Sequence, residues 1–326
     1  MDIQELQTKK QDDLFYFVGN DAIESEKIIA PRYSYWKSVF RVFFRKKINY
    51  VLLSLFVLIL FSSFVMPMIW KYDPFENIND AATFNLSPIQ AMQYFGGFSL
   101  KYCLGTGTFG NSIFYGVFAS ARTSLLLAII CAAINMTVGI LMGAVWGYSK
   151  KFDAVMLVIY NIVANVPFIL LVTVLVYVFN AAKVNSFVGF VIALTITGWL
   201  GIAFFFRTQV MIIRDREYSL ASRCLGTRIP RMVSHNILPF LTSVIVTLLA
   251  TELPSYISYE VYLSFIGVGM SAEIPSLGHM ISDAQSAFLL FPWAFWAPVA
   301  IASAITIILY VLGQNLADAS DPRTHM

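Results

Sequence analysis

The chain has 326 residues, of which 58% are hydrophobic and only 13% charged, with 28 phenylalanines and a formal charge of +3. That is more apolar surface than a water-soluble domain can hide, and so small a net charge gives no footing for nucleic-acid binding. Lipid is the matching solvent.

About 20 apolar residues cross the ~30 Å hydrocarbon layer as a helix. Six runs of that order, with few or no charges, follow one another: 48–70, 123–147, 154–179, 187–206, 237–266 and 292–316. The sequence therefore predicts an all-α polytopic membrane protein with six transmembrane helices. The first run follows 47 residues rich in charged and polar side chains and lacks a small-x-small cleavage site, so 48–70 reads as an anchor and 1–47 as a tail. With that tail cytoplasmic, six spans bring the C-terminal tail, 317–326, back to the same side. The inner side then holds Lys9, Lys10, Lys27, Arg32, Lys37, Arg41, Arg45, Lys46, Lys47, Lys150, Lys151, the arginines from Arg207 to Arg231, and Arg323. Only Lys71, Lys101, Arg122 and Lys183 remain outside, a bias that fixes both termini in the cytoplasm.

The outer loop, 71–112, ends in "LGTGTFGNS". Gly105, Gly107 and Gly110 match G-x-G-x-x-G, and the stretch falls one residue short of a P-loop, with Asn111 where the lysine belongs. No strand of β-branched residues leads into it, and it lies on the side away from cytosolic nucleotide. Turns before a helix are the expectation for these glycines. Cys103, Cys131 and Cys224 fall in three different segments, and His235, His279 and His325 are scattered, without ligand spacing. G-x-S-x-G and H-E-x-x-H are absent. The chain reads as a transport component that is not an enzyme and holds no cofactor or metal of its own.

Between the fourth and fifth runs lies the inner loop, 207–236. Its stretch "EYSLASRCLG" predicts a short helix, with Asp215 capping or charging the first turn and Gly226 closing it at C′. Thr227 is expected to cap a second helix that has Pro230 in its first turn and leads to Pro239. Tyr218, Ala221, Ser222 and Leu225 share one face at helical spacing, with Arg216 and Arg223 on its flanks. A narrow face of this kind fits a partner's groove, and an arginine-rich inner loop equally fits anionic lipid heads.

In the fifth run, Glu252 stands at membrane depth, ~22 Å along a helix from Ile237, and Glu260 lies near the outer boundary. A charge facing lipid there costs at least ~2.5 kcal/mol, so Glu252 is expected to face a wet cavity or a partner. Pro254 is expected to break the helix beside it, where freed backbone can line a cavity. Glu260 is expected to make a structural hydrogen bond. A proton-coupled secondary transporter would share these features, although its internal repeat is not visible.

The segment "REYSLASRCLGTRIPRMVSHNILPFL" resembles the EAA loop of binding-protein-dependent ABC import permeases, with Gly226 and Ile237-Leu238-Pro239 in register. "LGTGTFGNSIFYGVFASARTSL", "YLSFIGVG", "PSLGHMISDAQ", "FPW" and "LADASDPR" resemble, in order, segments of the OppC/DppC branch, which handles oligopeptides, dipeptides and nickel. The resemblance implies a MetI-like permease core at 113–316 with its EAA loop at 207–239. It further implies pairing with a second permease subunit, two cytoplasmic ATPase subunits that hold ATP and Mg, and an extracytoplasmic solute-binding protein, all at a bacterial plasma membrane. Glu217, Tyr218, Ala221, Ser222, Arg223, Leu225 and Gly226 would then contact the ATPases, while Glu252 and Pro254 would line the pathway. The chain departs from the family pattern at Gly107, Asn111 and Ser112, and has Leu220 and Ser222 where the loop's acid and second alanine would stand.

The topology is checked by placing single cysteines at Leu104 and Lys150 and labelling intact cells with an impermeant maleimide. Labelling is expected at the first position alone, and labelling of both from outside would overturn the orientation.

Overall fold

The computed structural model describes residues 34–321, so the tail up to residue 33 and the last five residues, with Arg323 and His325, lie outside the described part. The chain divides into Met1–Ser38 and Val39–Met326. A helix, α1 (Tyr35–Arg45), begins in the first unit; the rest of the account concerns the second. Among the described residues there are no strands, only an isolated bridge between Thr106 and Ser112.

The long apolar helices appear where charge-free runs call for them. They are α2 (Lys47–Ile69), which precedes a short α3 (Pro88–Tyr94), and α4 (Ile113–Tyr148). Next come α5 (Lys150–Ala164) and α6 (Phe168–Ala181), then α7 (Ser186–Thr195) and α8 (Trp199–Arg214). After α9 (Glu217–Cys224) and α10 (Ile229–Met232), α11 (Thr242–Phe265), α12 (Leu277–Gln285) and α13 (Pro292–Ser320) complete the order. Five stretches are long and apolar enough to cross a membrane: α2, α4, α7 with α8, α10 to α11, and α13. A sixth crossing results if α5 and α6, bent by 81° at their junction, count as one span.

Several boundaries differ from those the sequence suggests. The third run, expected as one helix over 154–179, is broken at Asn165–Pro167, because a proline disfavours helical backbone at the residue before it. The fourth run continues as helix to Arg214, so the inner loop opens at Asp215 and not at 207. Pro254, in contrast, leaves α11 unbroken. The irregular backbone of that span lies earlier, in a π turn at Val233–Ile237 and a 3₁₀ turn at Leu238–Leu241, around Pro239. The second span begins ten residues ahead of its charge-free run, at Ile113, and the last runs four residues further, to Ser320.

The tightest packing joins α4 to α8. In lipid, helices gain no hydrophobic advantage by meeting, so small residues that let backbones approach decide which pairs form. Gly139, Gly143 and Gly147 make one ridge on α4. A Cβ on Gly139 would meet Ile202 Cγ2 at 2.7 Å, one on Gly143 would meet the Ala203 carbonyl oxygen at 2.7 Å, and one on Gly147 would meet that of Arg207 at 2.7 Å. At the Tyr148 end, Arg207 holds Asp153 of α5 through Nε and Nη2, and Trp146 Nε1 donates to the same carboxylate at 2.7 Å. At the opposite edge of the bundle, α2 turns apolar side chains such as Val51, Leu58 and Phe61 outward. It meets α13 through Asn315, whose Nδ2 donates to Asn49 Oδ1 at 2.6 Å.

Gly143→Ala is therefore expected to destabilise the protein by about 1–3 kcal/mol, the range for overpacking a close contact. Gly201→Ala, where an added Cβ would meet nothing within 4 Å, is expected to be neutral or to stabilise by up to about 1 kcal/mol. Thermal unfolding of both variants in detergent checks the contrast.

Candidate functional site

The loop "LGTGTFGNS" makes turns, as its glycines suggest. Gly105 and Gly110 have φ of 81° and 69°, and Ser112 caps α4 by accepting from Tyr115 N. Its amides are taken within the loop: Gly105 N donates to Tyr102 O, Thr106 N to Leu86 O, Gly107 N to Asn111 O and Gly110 N to Gly107 O. Two departures from the family pattern fit one another. A Cβ on Gly107 would meet Asn111 Oδ1 at 2.7 Å, and Asn111 Nδ2 donates to the Tyr72 hydroxyl at 2.7 Å. Burial pushes the Tyr72 hydroxyl up to about 12, against the Asn111 bond, which lowers it.

At the other end of α4, α9 forms where "EYSLASRC" predicts it. Gly226 has φ of 76°, Thr227 N donates to Ser222 O at 3.1 Å, and Gly226 N donates to Arg223 O at 3.0 Å. This left-handed closure satisfies the last carbonyls of the helix. Two expected caps are not made. Asp215 turns instead to Arg214, whose Nε and Nη2 hold both its oxygens at 2.9 and 3.0 Å. That pairing holds the Asp215 carboxyl below the usual carboxylate range. Arg228, not Thr227, occupies the cap position of α10, with no side-chain bond.

Of the four residues expected on one face of α9, Tyr218, Ala221 and Leu225 are exposed and Ser222 is half-buried. Ser219 is wholly buried against the bundle, Ser222 Oγ accepts from Asn236 Nδ2 at 2.7 Å, and the Tyr218 ring packs on Phe240 at 5.1 Å. Arg223 lies over the Tyr148 ring at 5.4 Å. Three of the named residues thus hold the helix to its own chain. Glu217, Ala221, Leu225 and Gly226 look outward, joined by Leu220 and Cys224. Leu225, 87% exposed, is the most prominent of them. Leu220, which seems a blemish in the motif, supplies apolar surface to this outward stripe.

Glu252 and Glu260 part company. Glu260 is 0% exposed and joins three helices: it accepts from Ser124 Oγ of α4 at 2.9 Å, from Ser264 Oγ at 3.1 Å and from Gly278 N of α12 at 3.4 Å. Ser124 Oγ in turn accepts from Leu277 N at 3.1 Å. The carboxylate stands at the N-terminal end of α12, where unpaired amides and the helix dipole favour negative charge. Gly267, at φ of 81°, returns the chain from α11 towards this point, and a Cβ on Gly278 would meet Glu260 Oε1 at 2.7 Å. "YLSFIGVG" supplies Ser264 to this node and "PSLGHMISDAQ" supplies Leu277 and Gly278.

Glu252 instead lines a crevice of about 350 Å³, with Tyr160, Phe168, Thr197, Tyr256 and Tyr259. The α5–α6 break at Ala164–Pro167 and the α7–α8 break at Gly198 form its walls. Tyr256, fixed by Asn135 Nδ2 at 2.6 Å, places its hydroxyl beside Glu252. Asn135 Nδ2 also reaches the Leu194 carbonyl at 3.3 Å, next to the α7–α8 break. Pro254 is buried and lies outside the crevice wall. Breaks at membrane depth are tolerated where the freed backbone lines a cavity.

The family described as binding-protein-dependent transport system inner membrane component matches residues 135–326. The N-terminal TM domain of oligopeptide transport permease C matches residues 34–88. The oligopeptide transport system permease protein AmiD of Streptococcus pneumoniae is 43% identical, over 95% of this chain and 97% of that protein. The oligopeptide transport system permease protein OppC of Bacillus subtilis is 30% identical over the same shares. The dipeptide transport system permease protein DppC of Bacillus subtilis is 30% identical over 92% of this chain and 89% of that protein.

Glu260→Ala is expected to leave the Ser124, Ser264 and Gly278 donors unsatisfied in the bundle, at about 1–3 kcal/mol for each buried group. Yield and thermal stability in detergent are expected to fall sharply, and Glu260→Gln, which keeps one acceptor oxygen, is expected to recover part of the loss.

Proposed function

We propose, since the chain belongs to the family of binding-protein-dependent transport system inner membrane components, that it is a permease subunit of an ATP-driven ABC importer of oligopeptides. In this reading it pairs with a second permease subunit and docks on two ATPase subunits, which carry ATP and Mg. An extracytoplasmic binding protein delivers the peptide. The chain spans a bacterial plasma membrane with its α9 loop and both termini in the cytoplasm.

The observation that carries the reading is the state of α9. A free eight-residue helix is too short to persist alone in water, because nucleating a helix costs more than a few bonds return. This one is held by Ser219, Ser222, Tyr218 and Arg223 and still turns Leu220, Ala221 and Leu225 outward. An anchored helix with a bare apolar stripe is suited to a groove on a partner.

The chemistry of ATP stays on the partners, and this chain converts their closure into movement of its spans. Arg214 supplies the mechanical link. Its Nη1 donates to the Gly147 carbonyl of α4 at 2.9 Å while its other nitrogens hold Asp215 at the root of the loop. A displacement of α9 therefore acts on the α4/α8 pair, and through α8 on the wall of the Glu252 crevice, which serves as a lining of the peptide's path. Two packed arrangements, biased by nucleotide on another chain, make a switch of this kind.

Gly226→Val strains a left-handed turn that favours glycine, and Ala221→Trp fills the centre of the outward stripe. Both variants are expected to insert normally and to lose, together, co-purification of the ATPases and at least ten-fold in ATP hydrolysis stimulated by loaded binding protein. Full stimulation with stoichiometric ATPases in both would overturn α9 as the coupling element and favour lipid heads as its counterpart.

A further inference from the structure

The crevice beside α11 has a chemistry of one sign. Glu252 is its charged residue, and no lysine, arginine or histidine stands among its lining residues. No described cation forms an ion pair with Glu252, whereas Asp153, Asp215 and Glu76 are all paired. Four aromatic rings stand round it. Phe168 and Tyr259 have centroids 5.2 Å apart, Tyr256 and Tyr259 6.0 Å, and Tyr160 stacks against Phe204 behind the wall at 4.2 Å. The Thr197 hydroxyl is buried in the same wall without a hydrogen-bond partner.

We infer that this crevice binds the alkylammonium group of the peptide in transit: Glu252 pairs with the charge and the tyrosine rings surround it. The inference rests on the reading of the crevice as pathway and adds which end of the substrate it takes. A carboxylate at membrane depth needs a counter-charge, and aromatic faces attract cations and not anions. The N-terminal turns of α6 and α8, which also reach the crevice, carry only partial positive charge, about half an elementary charge each, against the full charge of Glu252. The volume of about 350 Å³ is ample for an ammonium with its nearest side chain. Every linear peptide with a free N-terminus carries such a group, so recognition here grips the substrate without reading its sequence. Tyr256, fixed by Asn135, is a positioning residue for Glu252.

The test uses the complete reconstituted complex in proteoliposomes, with three tetrapeptides at concentrations that saturate the binding protein. They are tetra-alanine, its N-acetylated form, and an N-acetylated form with one lysine. With the native complex, tetra-alanine is expected to be taken up at least ten times faster than its acetylated form. In Glu252→Gln, which keeps shape and removes charge, that ratio is expected to collapse towards one through loss of the fast rate, with subunit stoichiometry unchanged. Glu252→Asp is expected to restore part of the ratio. Fast, Glu252-dependent uptake of the lysine peptide assigns the site to either ammonium, and slow uptake assigns it to the α-ammonium alone. Equal slowing of all three peptides in Glu252→Gln would overturn ammonium recognition and leave Glu252 on the pathway. Unchanged uptake of all three would overturn the pathway reading as well.

Discussion

The distance between α4 and α8 is the constraint on which the rest of the bundle depends. Three glycines spaced four apart bring the two backbones together closely enough that a single methyl group would collide with carbonyl oxygen at Ala203 or Arg207. Everything at the Tyr148 end follows from that approach. Arg207 reaches Asp153 and stacks near Trp146, Arg214 reaches the Gly147 carbonyl, and α9 is hung from the assembly between them. Without a hydrophobic drive between helices, close van der Waals contact and a few hydrogen bonds have to supply the specificity that a water-soluble core obtains from burial.

Polar side chains within the spans sort by whether the protein answers them. Asn135 and Glu260 are wholly buried, and their bonds link α4 with α7 and α11 in the first case, and α4 with α11 and α12 in the second. They act as fixed joints. Glu252, on the same helix as Glu260, sits in a crevice with breaks on two sides, and no described cation pairs with it. Leaving a carboxylate without a counter-charge at membrane depth costs stability, which is why such a group marks a place where something else arrives.

Much of the architecture was legible in the residues. Charge-free runs located the long helices, Gly226 marked its left-handed turn, and the glycine-rich stretch before α4 made the turns its glycines suggest. The misplaced features have local causes. Both Pro167 and Pro254 remove a backbone donor, yet only the first ends a helix. Pro254 stays within a continuous α11, one turn after Ala250, whose Cα a Cβ on Gly313 of α13 would meet at 2.7 Å. Spacing defines the stripe on α9 but not how the parent chain holds it: Asn236 and Phe240, fourteen and more residues further on, supply the contacts to Ser222 and Tyr218. Glu260 makes the structural hydrogen bonding expected of it, but its partners were not legible, because its serines and glycine come from three segments and none of them is unusual alone.

The buried asparagine carries a consequence for biosynthesis. Asn135 belongs to the second span, while the groups it satisfies, the Leu194 carbonyl and the Tyr256 hydroxyl, belong to the fourth and fifth. A chain made from its N-terminus delivers this amide to the bilayer about sixty residues before its first acceptor exists. The glycine ridge beside it waits equally long for α8. During that interval the second span is an incomplete helix with a polar side chain and a bare groove, and it needs shelter by the insertion machinery or by another small-faced helix. The order of translation thus makes the middle of α4 the place where a failed assembly would first be recognised.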